Sequence, residues 1–579
     1  MATRTKGRVA RYMFHWVSQK TYLQNILTGI FALHACFVLL WWLISGASFF
    51  MGLPEVLLML ACSGILVAGF YLMRPGTQPV VLMIALVFLV FVHIRLTVFL
   101  VLPSGAIGFL GFPPFTEDEI REALSYVMIG TGALLLGVQF VGWAADRVLD
   151  RERLAAAFPG PLRRSFITLG GLVLLWTLAL TGNYVAEPFI REGSLPADIG
   201  WFTRFFSIDT ALVISLVWLV ARQDVTGAEW WTVALLVVVW LGVSILGGSR
   251  GGSLRIAMVV FAVLAARHLI HPITPRAFVA GFIVMALVGI MGGFAGHVSR
   301  MKNVELIWDA RHPAGDSPWV FPSPGDDGPI TLEGPVAAAL YDFSRQDIYQ
   351  RITPGELSLW TVEARADAEN AFGKIGRWRS HLRSQIDTPD TIYFTITERL
   401  NPIWARLGTI DYGMQAMTRE GDEAMLDKYI RSPYALKIIA NSLVLGDVFS
   451  DVTIFTAQVF NITYRDYDEA FAERHYLSEP WTIWGLAKIL FGSWGGLLFL
   501  FTVGGLLQAG YAVTDLLPGE SGLVARTMYL FILVWGGINM FGIDHVVVVG
   551  IHYAISALSA LSLLFVFSRL IPKVLSNDP

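Results

Sequence analysis

Gly247-Gly-Ser-Arg-Gly-Gly252 is the segment whose residue types and spacing best suit chemistry. Two glycine pairs flank one arginine, so the backbone can turn tightly and a ligand can come close. A guanidinium is a planar fork matched to phosphate oxygens. Ser249 adds a hydroxyl donor beside Arg250. Together they can form an anion site. The bland alternative is a turn between two helices whose Arg250 reaches lipid headgroups.

Other polar residues stand in or beside apolar stretches. His93 and Arg95 fall in the third such stretch, Arg204 and Asp209 in the sixth. An arginine in mid-membrane costs about 2.5–3.5 kcal/mol on insertion scales, so it faces a cavity or a partner. Neither pair has the spacing of one helix face. Arg95 therefore either joins a site with Arg250 or pairs with an acid elsewhere. Arg300, in His297-Val-Ser-Arg-Met301, is a second candidate cation or an ordinary juxtamembrane arginine. Arg399, in Thr397-Glu-Arg-Leu-Asn-Pro402, is a third, with a solvated surface arginine as its alternative. His475 titrates near neutrality, has Glu473 and Glu479 nearby, and is the candidate base. Asp544-His545 is its rival. A single histidine is more often structural than catalytic.

Two acidic motifs carry less. Asp466-Tyr-Asp468 has the Asp-x-Asp form of metal-dependent sugar transferases, but three-residue motifs recur by chance. Asp326-Asp327 offers two carboxylates, where calcium takes about 6–8 oxygens. No metal and no cofactor are expected. Trp308, Trp319, Trp360, Trp378 and Trp404 can stack on sugars or simply pack.

The elements that hold these residues are apolar helices. Of 579 residues, 55% are hydrophobic and 15% charged, and mean hydropathy is +0.59. A soluble domain has about 25% charged residues. The net charge of −3 gives no basic surface for nucleic acid. Cys36 and Cys62 lie in apolar runs, which argues against a disulfide framework. A span needs roughly 20 apolar residues. Spans are expected at 27–49, 56–73, 80–102, 124–145, 166–185, 201–220, 230–246, 254–269, 278–297, 490–513, 528–541 and 546–570. The chain is thus expected to be an all-α polytopic membrane protein of about twelve transmembrane helices. Its expected parts are a membrane region at 1–297, an insert at 298–482 and a second membrane region at 483–579.

Lys and Arg in short loops set the orientation. With the N-terminus inside, the inner loops hold Arg74, then Arg147, Arg151, Arg153, Arg163 and Arg164, and later Arg267 and Arg276. Both termini are then cytoplasmic and the insert lies outside. An amphipathic pattern at 360–383 and a more apolar one at 435–460 predict a mostly helical extracytoplasmic cap.

Leu246-Gly-Gly-Ser-Arg-Gly-Gly-Ser-Leu254, running into an apolar span, resembles the "SRG" signature of the O-antigen polymerase and ligase superfamily. Ser478-Glu-Pro-Trp-Thr-Ile-Trp-Gly485, followed by Phe491-Gly-Ser-Trp-Gly-Gly496, resembles the segment where such polymerases re-enter the membrane after their outer loop. The span count and late outer loop fit as well. Two features depart from the family. The ligases' loop histidine is usually followed by a small polar residue, whereas His475 precedes Tyr476, and the insert is longer than usual.

The resemblance implies a GT-C-like membrane fold and a metal-independent reaction at the outer face of a bacterial inner membrane. Oligosaccharide repeat units carried on undecaprenyl pyrophosphate are joined into a surface polysaccharide. Arg250 and Ser249 would hold the pyrophosphate, with Arg300, Arg399 and Arg95 as further contacts and His475 as base. A flippase and a chain-length regulator would be protein partners. The alternatives are a ligase moving finished glycan to a lipid acceptor, a polytopic transporter or flippase, and a non-enzymatic scaffold.

Overall fold

The computed structural model describes residues 28–44, 52–72, 75–93, 95–97, 115–148, 166–181, 205–221, 225–246, 255–256, 258–260, 262–263, 266, 409–443, 456–465, 481–515, 517, 519–533 and 542–575. Among these the chain is helical, with no strand. The membrane part begins with α1 (Thr28–Ile44), α2 (Leu53–Leu72) and α3 (Gln78–Val87), the last running on as a π-helical turn, Phe88–His93. It continues with α4 (Glu117–Val148), α5 (Leu169–Leu180), α6 (Ile208–Ala221) and α7 (Gly227–Leu246). Three shorter helices follow: α8 (Thr409–Thr418), α9 (Tyr434–Leu443) and α10 (Thr456–Arg465). The last three are α11 (Ile483–Asp515), α12 (Gly519–Ile532) and α13 (Ile543–Leu575).

Four of these helices, α2, α4, α11 and α13, are long and apolar enough to cross a membrane. Helices α1, α3, α5, α6, α7 and α12 contain apolar stretches of 10–17 residues. The expected ninth span and residues 298–408 lie outside the described residues, as does half of the eighth span. The helix assigned to the eleventh span starts at Gly519 rather than 528, which brings the buried Arg526 inside it.

The helix starts are written locally. Thr116 and Glu119 form a capping box: the Thr116 N–H donates to Glu119 Oε2 at 2.7 Å, and the Glu119 N–H to Thr116 Oγ1 at 3.2 Å. Thr226 and Glu229 repeat it at the start of α7. Proline stands in the first turn of α3, where its missing N–H is harmless.

The helix ends meet in two sets, at opposite ends of the bundle. At one end, Arg121 of α4 pairs with the buried Glu55 of α2 at 2.9 Å, and Arg419 after α8 pairs with Glu119 at 2.6 Å. Lys488 of α11 pairs with Glu122 at 2.5 Å. At the opposite end, Gln508 of α11 donates to the Gly76 carbonyl at 2.9 Å, and Phe166 packs on Phe565. Arg147 and Arg569 lie over the rings of Trp143 and Phe565 at that end.

The closest helix pair is α4 with α11. Without a hydrophobic force between helices in lipid, small residues let backbones touch and gain dispersion contacts. A Cβ on Gly137 would lie 1.9 Å from the Phe501 carbonyl oxygen, and one on Gly504 would lie 2.0 Å from the Leu134 oxygen. Both obstacles are backbone and cannot swing aside. Gly132, on the same helix as Gly137, has nothing within 4 Å of such a Cβ. Gly137→Ala is therefore expected to destabilise the protein by about 1–3 kcal/mol, seen as a lower melting temperature in detergent. Gly132→Ala is expected to be neutral or to stabilise by about 0.5–1 kcal/mol. Equal effects of the two changes would contradict the glycine seam.

Candidate functional site

Among the described residues, two groups of buried polar side chains join distant parts of the apolar bundle. The first joins α3 to α8. Arg95 follows the π-helical turn and is fully buried. Its Nε donates to Asp411 Oδ1 at 3.2 Å and Oδ2 at 3.1 Å, and its Nη2 to Oδ2 at 2.5 Å. The acid that Arg95 needs is thus Asp411, 316 residues away. Burial pushes the Asp411 carboxyl above its ordinary range, and the Arg95 guanidinium pulls it back.

The surroundings hold α8 in place. Gly413, two residues past Asp411, lies against Thr482, where a Cβ would meet Thr482 Oγ1 at 2.4 Å. Thr482 has φ 57°, an unusual backbone for a β-branched residue, and its hydroxyl accepts from the Gly485 N–H at 3.2 Å. That strained threonine starts α11. His93 does not join the ion pair. It packs edge-on against Phe31 and His34, with ring centroids 5.4 and 5.2 Å apart.

The second group lies where α6, α13 and the helix residues beginning at Arg255 meet. Asp209 is buried at the start of α6. The Tyr553 hydroxyl donates to Asp209 Oδ2 at 2.5 Å, and Arg255 Nη1 lies 3.5 Å from the same oxygen. Ser207 and Ser556 link α6 to α13 beside it, the Ser207 N–H donating to Ser556 Oγ at 2.9 Å. Arg255 stands three residues after Gly252, and 42% of its side chain is exposed.

Further contacts tie helices α8–α10 to the bundle. Asp544 accepts from the Thr456 N–H at 3.2 Å and from the Thr456 hydroxyl, and the Trp481 indole donates to the Thr456 carbonyl at 2.9 Å. Asp544 thus fastens α10 to α13. Gly542 just before it has φ 140°, and a Cβ there would strike Thr456 Oγ1. In α11, Gly492 has φ 67° and ψ −172°, a break inside the helix at the Phe491-Gly-Ser-Trp-Gly-Gly496 stretch. Phe491 and Trp494 beside it are exposed, as aromatic residues are at a membrane interface.

Of the residues expected to form the site, Arg95 is described, and it is paired as above. Ser249, Arg250, Arg300, Arg399 and His475 lie outside the described residues, as do Asp466, Asp468, Asp326 and Asp327. Three buried or half-buried polar residues escaped the sequence reading as site members: Arg255, Tyr553 and Asp411. Arg255 had a signal, since it directly follows Ser253-Leu254 in the glycine-rich motif. Among the described residues no three His, Cys, Asp or Glu side chains gather. The chain has no match among protein-family models, curated proteins or solved structures.

The Arg95–Asp411 pair makes a direct prediction. Removing one partner of a buried ion pair strands a charge and costs about 3–5 kcal/mol. Arg95→Met and Asp411→Leu are each expected to destabilise by that amount, while the two together are expected to recover most of the loss. Melting temperatures of the two single variants and the double variant, combined as a cycle, measure the coupling. Additive losses would show that the pair does not act as a unit.

Proposed function

We propose that this protein is a membrane-embedded polymerase of lipid-linked oligosaccharides, joining repeat units carried on undecaprenyl pyrophosphate at the outer face of a bacterial inner membrane. The observation that carries the reading is the half-exposed Arg255 guanidinium beside a buried carboxylate, Asp209, directly after the Gly247–Gly252 motif. A cation at this place inside an apolar bundle suits an anionic lipid whose chain stays in the bilayer. Helices α8–α10, fastened at one end of the bundle, suit a cap over the saccharide.

The chemistry needs no nucleotide sugar. The growing chain leaves its lipid pyrophosphate as a sugar hydroxyl of the next unit attacks, and the hydroxyl proton passes to a base. Cations stabilise the charge that develops on the leaving pyrophosphate. Arg250 is the first candidate for that role, with Ser249 beside it, and Arg300 and Arg399 are further candidates. His475 is the candidate base. Arg95 keeps α8 on the bundle and acts through position. A ligase would use the same donor and a different acceptor, so products separate the two readings. A mutant lacking a polymerase accumulates single lipid-linked units, whereas one lacking a ligase accumulates long lipid-linked chains.

Arg250→Ala tests the central assignment. Loss of one stabilising donor at a developing charge lowers turnover roughly 100- to 1000-fold. Cells carrying the variant are expected to make single units and no long polysaccharide, with the protein still inserted at normal abundance. Polysaccharide of unchanged length would remove Arg250 from the site.

A further inference from the structure

The group around Asp209 holds more than a cation. Asp209 Oδ2 already accepts from Tyr553 at 2.5 Å, so its contact to Arg255, at 3.5 Å, is longer than the roughly 2.7–2.9 Å of a strong charge-assisted bond. Arg255 stands beside the acid at the edge of the group. Its side chain is 42% exposed, whereas that of Asp209 is 5% exposed. The other oxygen, Asp209 Oδ1, is buried and has no hydrogen-bond partner among the described residues. An ionised carboxylate oxygen accepts only, and leaving it buried and unpaired is costly. A donor belongs there. Hydrocarbon tails have none, and the nearby Arg255 disfavours a free metal cation. A neutral hydroxyl fits. The neighbourhood is already rich in them: Ser207 Oγ and Thr210 Oγ1 are 2.7 Å apart, and Ser556 Oγ lies 3.3 Å from Ser207 Oγ.

We propose that Asp209 and Arg255 form a two-point subsite for the sugar-phosphate end of a lipid-linked saccharide. Arg255 takes a phosphate oxygen, and Asp209 Oδ1 accepts a hydroxyl of the adjoining sugar. Tyr553 is a positioning residue that holds the carboxylate in place for both contacts. The inference rests on the reading of the chain as a protein of lipid-linked glycans and names the part of the ligand that each residue recognises.

Binding separates the contacts from the reaction. The purified full-length protein in detergent is titrated with farnesol, farnesyl diphosphate and farnesyl-diphosphate-linked glucose. The wild type is expected to favour the diphosphate over the alcohol at least roughly tenfold, with the sugar adding several-fold more. Arg255→Gln is expected to lose most of the diphosphate preference. Asp209→Asn is expected to lose the sugar increment alone. Arg255→Lys keeps the charge, guards against misfolding, and should bind the diphosphate several-fold more weakly because a point charge replaces a fork. Variants that weaken all three probes equally would make the cluster purely structural and overturn the proposal. So would a wild type with no sugar increment, or Arg255→Lys binding like the wild type. If the binding pattern holds and the protein does not elongate lipid-linked repeats, the subsite stands and the polymerase reading falls. Elongation that is indifferent to both substitutions removes the subsite and leaves the polymerase.

Discussion

A guanidinium buried in an apolar bundle requires a carboxylate, and Arg95 finds its partner in Asp411, on a helix 316 residues further along the chain. That requirement joins the third apolar segment to α8. Once α8 is seated, its neighbours follow. Gly413 lies on Thr482, the residue that starts α11, and Arg419 reaches Glu119 at the start of α4. Lys488 of α11 reaches both Glu122 and the Met417 carbonyl at the end of α8. Asp544 then fixes α10 on α13. Each link pairs a charge or a buried polar group that would be expensive in lipid if left alone.

The other constraint is steric. The glycines of α4 and α11 allow backbone contact, so the most extensive helix contact among the described residues is set by what is missing from the side chains. Polar pairing at one end and close backbone contact along the length leave α6, α12 and α13 to pack on the other side. The Asp209 group sits there, where α6 meets α13. Its hydroxyls and carboxylate are held by short hydrogen bonds, and Arg255 forms an ion pair with the same carboxylate at 3.5 Å.

Much of the framework was legible before any coordinates. Apolar length located α2, α4, α11 and α13, because hydropathy over roughly 20 residues is a local property. The first turns of α4 were not read: Thr116 and Glu119 carry the spacing of a capping box, yet the expected span began at 124, because the turns before it are acidic rather than apolar. The partner of Arg95 was not legible, since nothing local marks Asp411 among the acids of a polar segment. Arg255 was passed over although it follows the glycine-rich motif, because it heads an apolar run, where an arginine reads as an ordinary helix end. Arg526 was missed for a similar reason: the apolar window for that segment begins after it, whereas the helix begins before it. The break at Gly492 follows from φ 67°, a value that glycine permits but does not require. Thr482 at φ 57° carried no signal, because its residue type argues against that backbone.

The proposed activity draws its energy from the bond to the lipid pyrophosphate, whereas a carrier would need a gradient across a sealed membrane. The direct measurement is elongation by the purified protein in detergent micelles, where no gradient exists, with lipid-linked repeat units as the sole substrate. A ladder of products, each longer by one repeat and each still on its lipid, is the predicted result. Unchanged single units in micelles, together with movement of the same units across sealed vesicles, would contradict it.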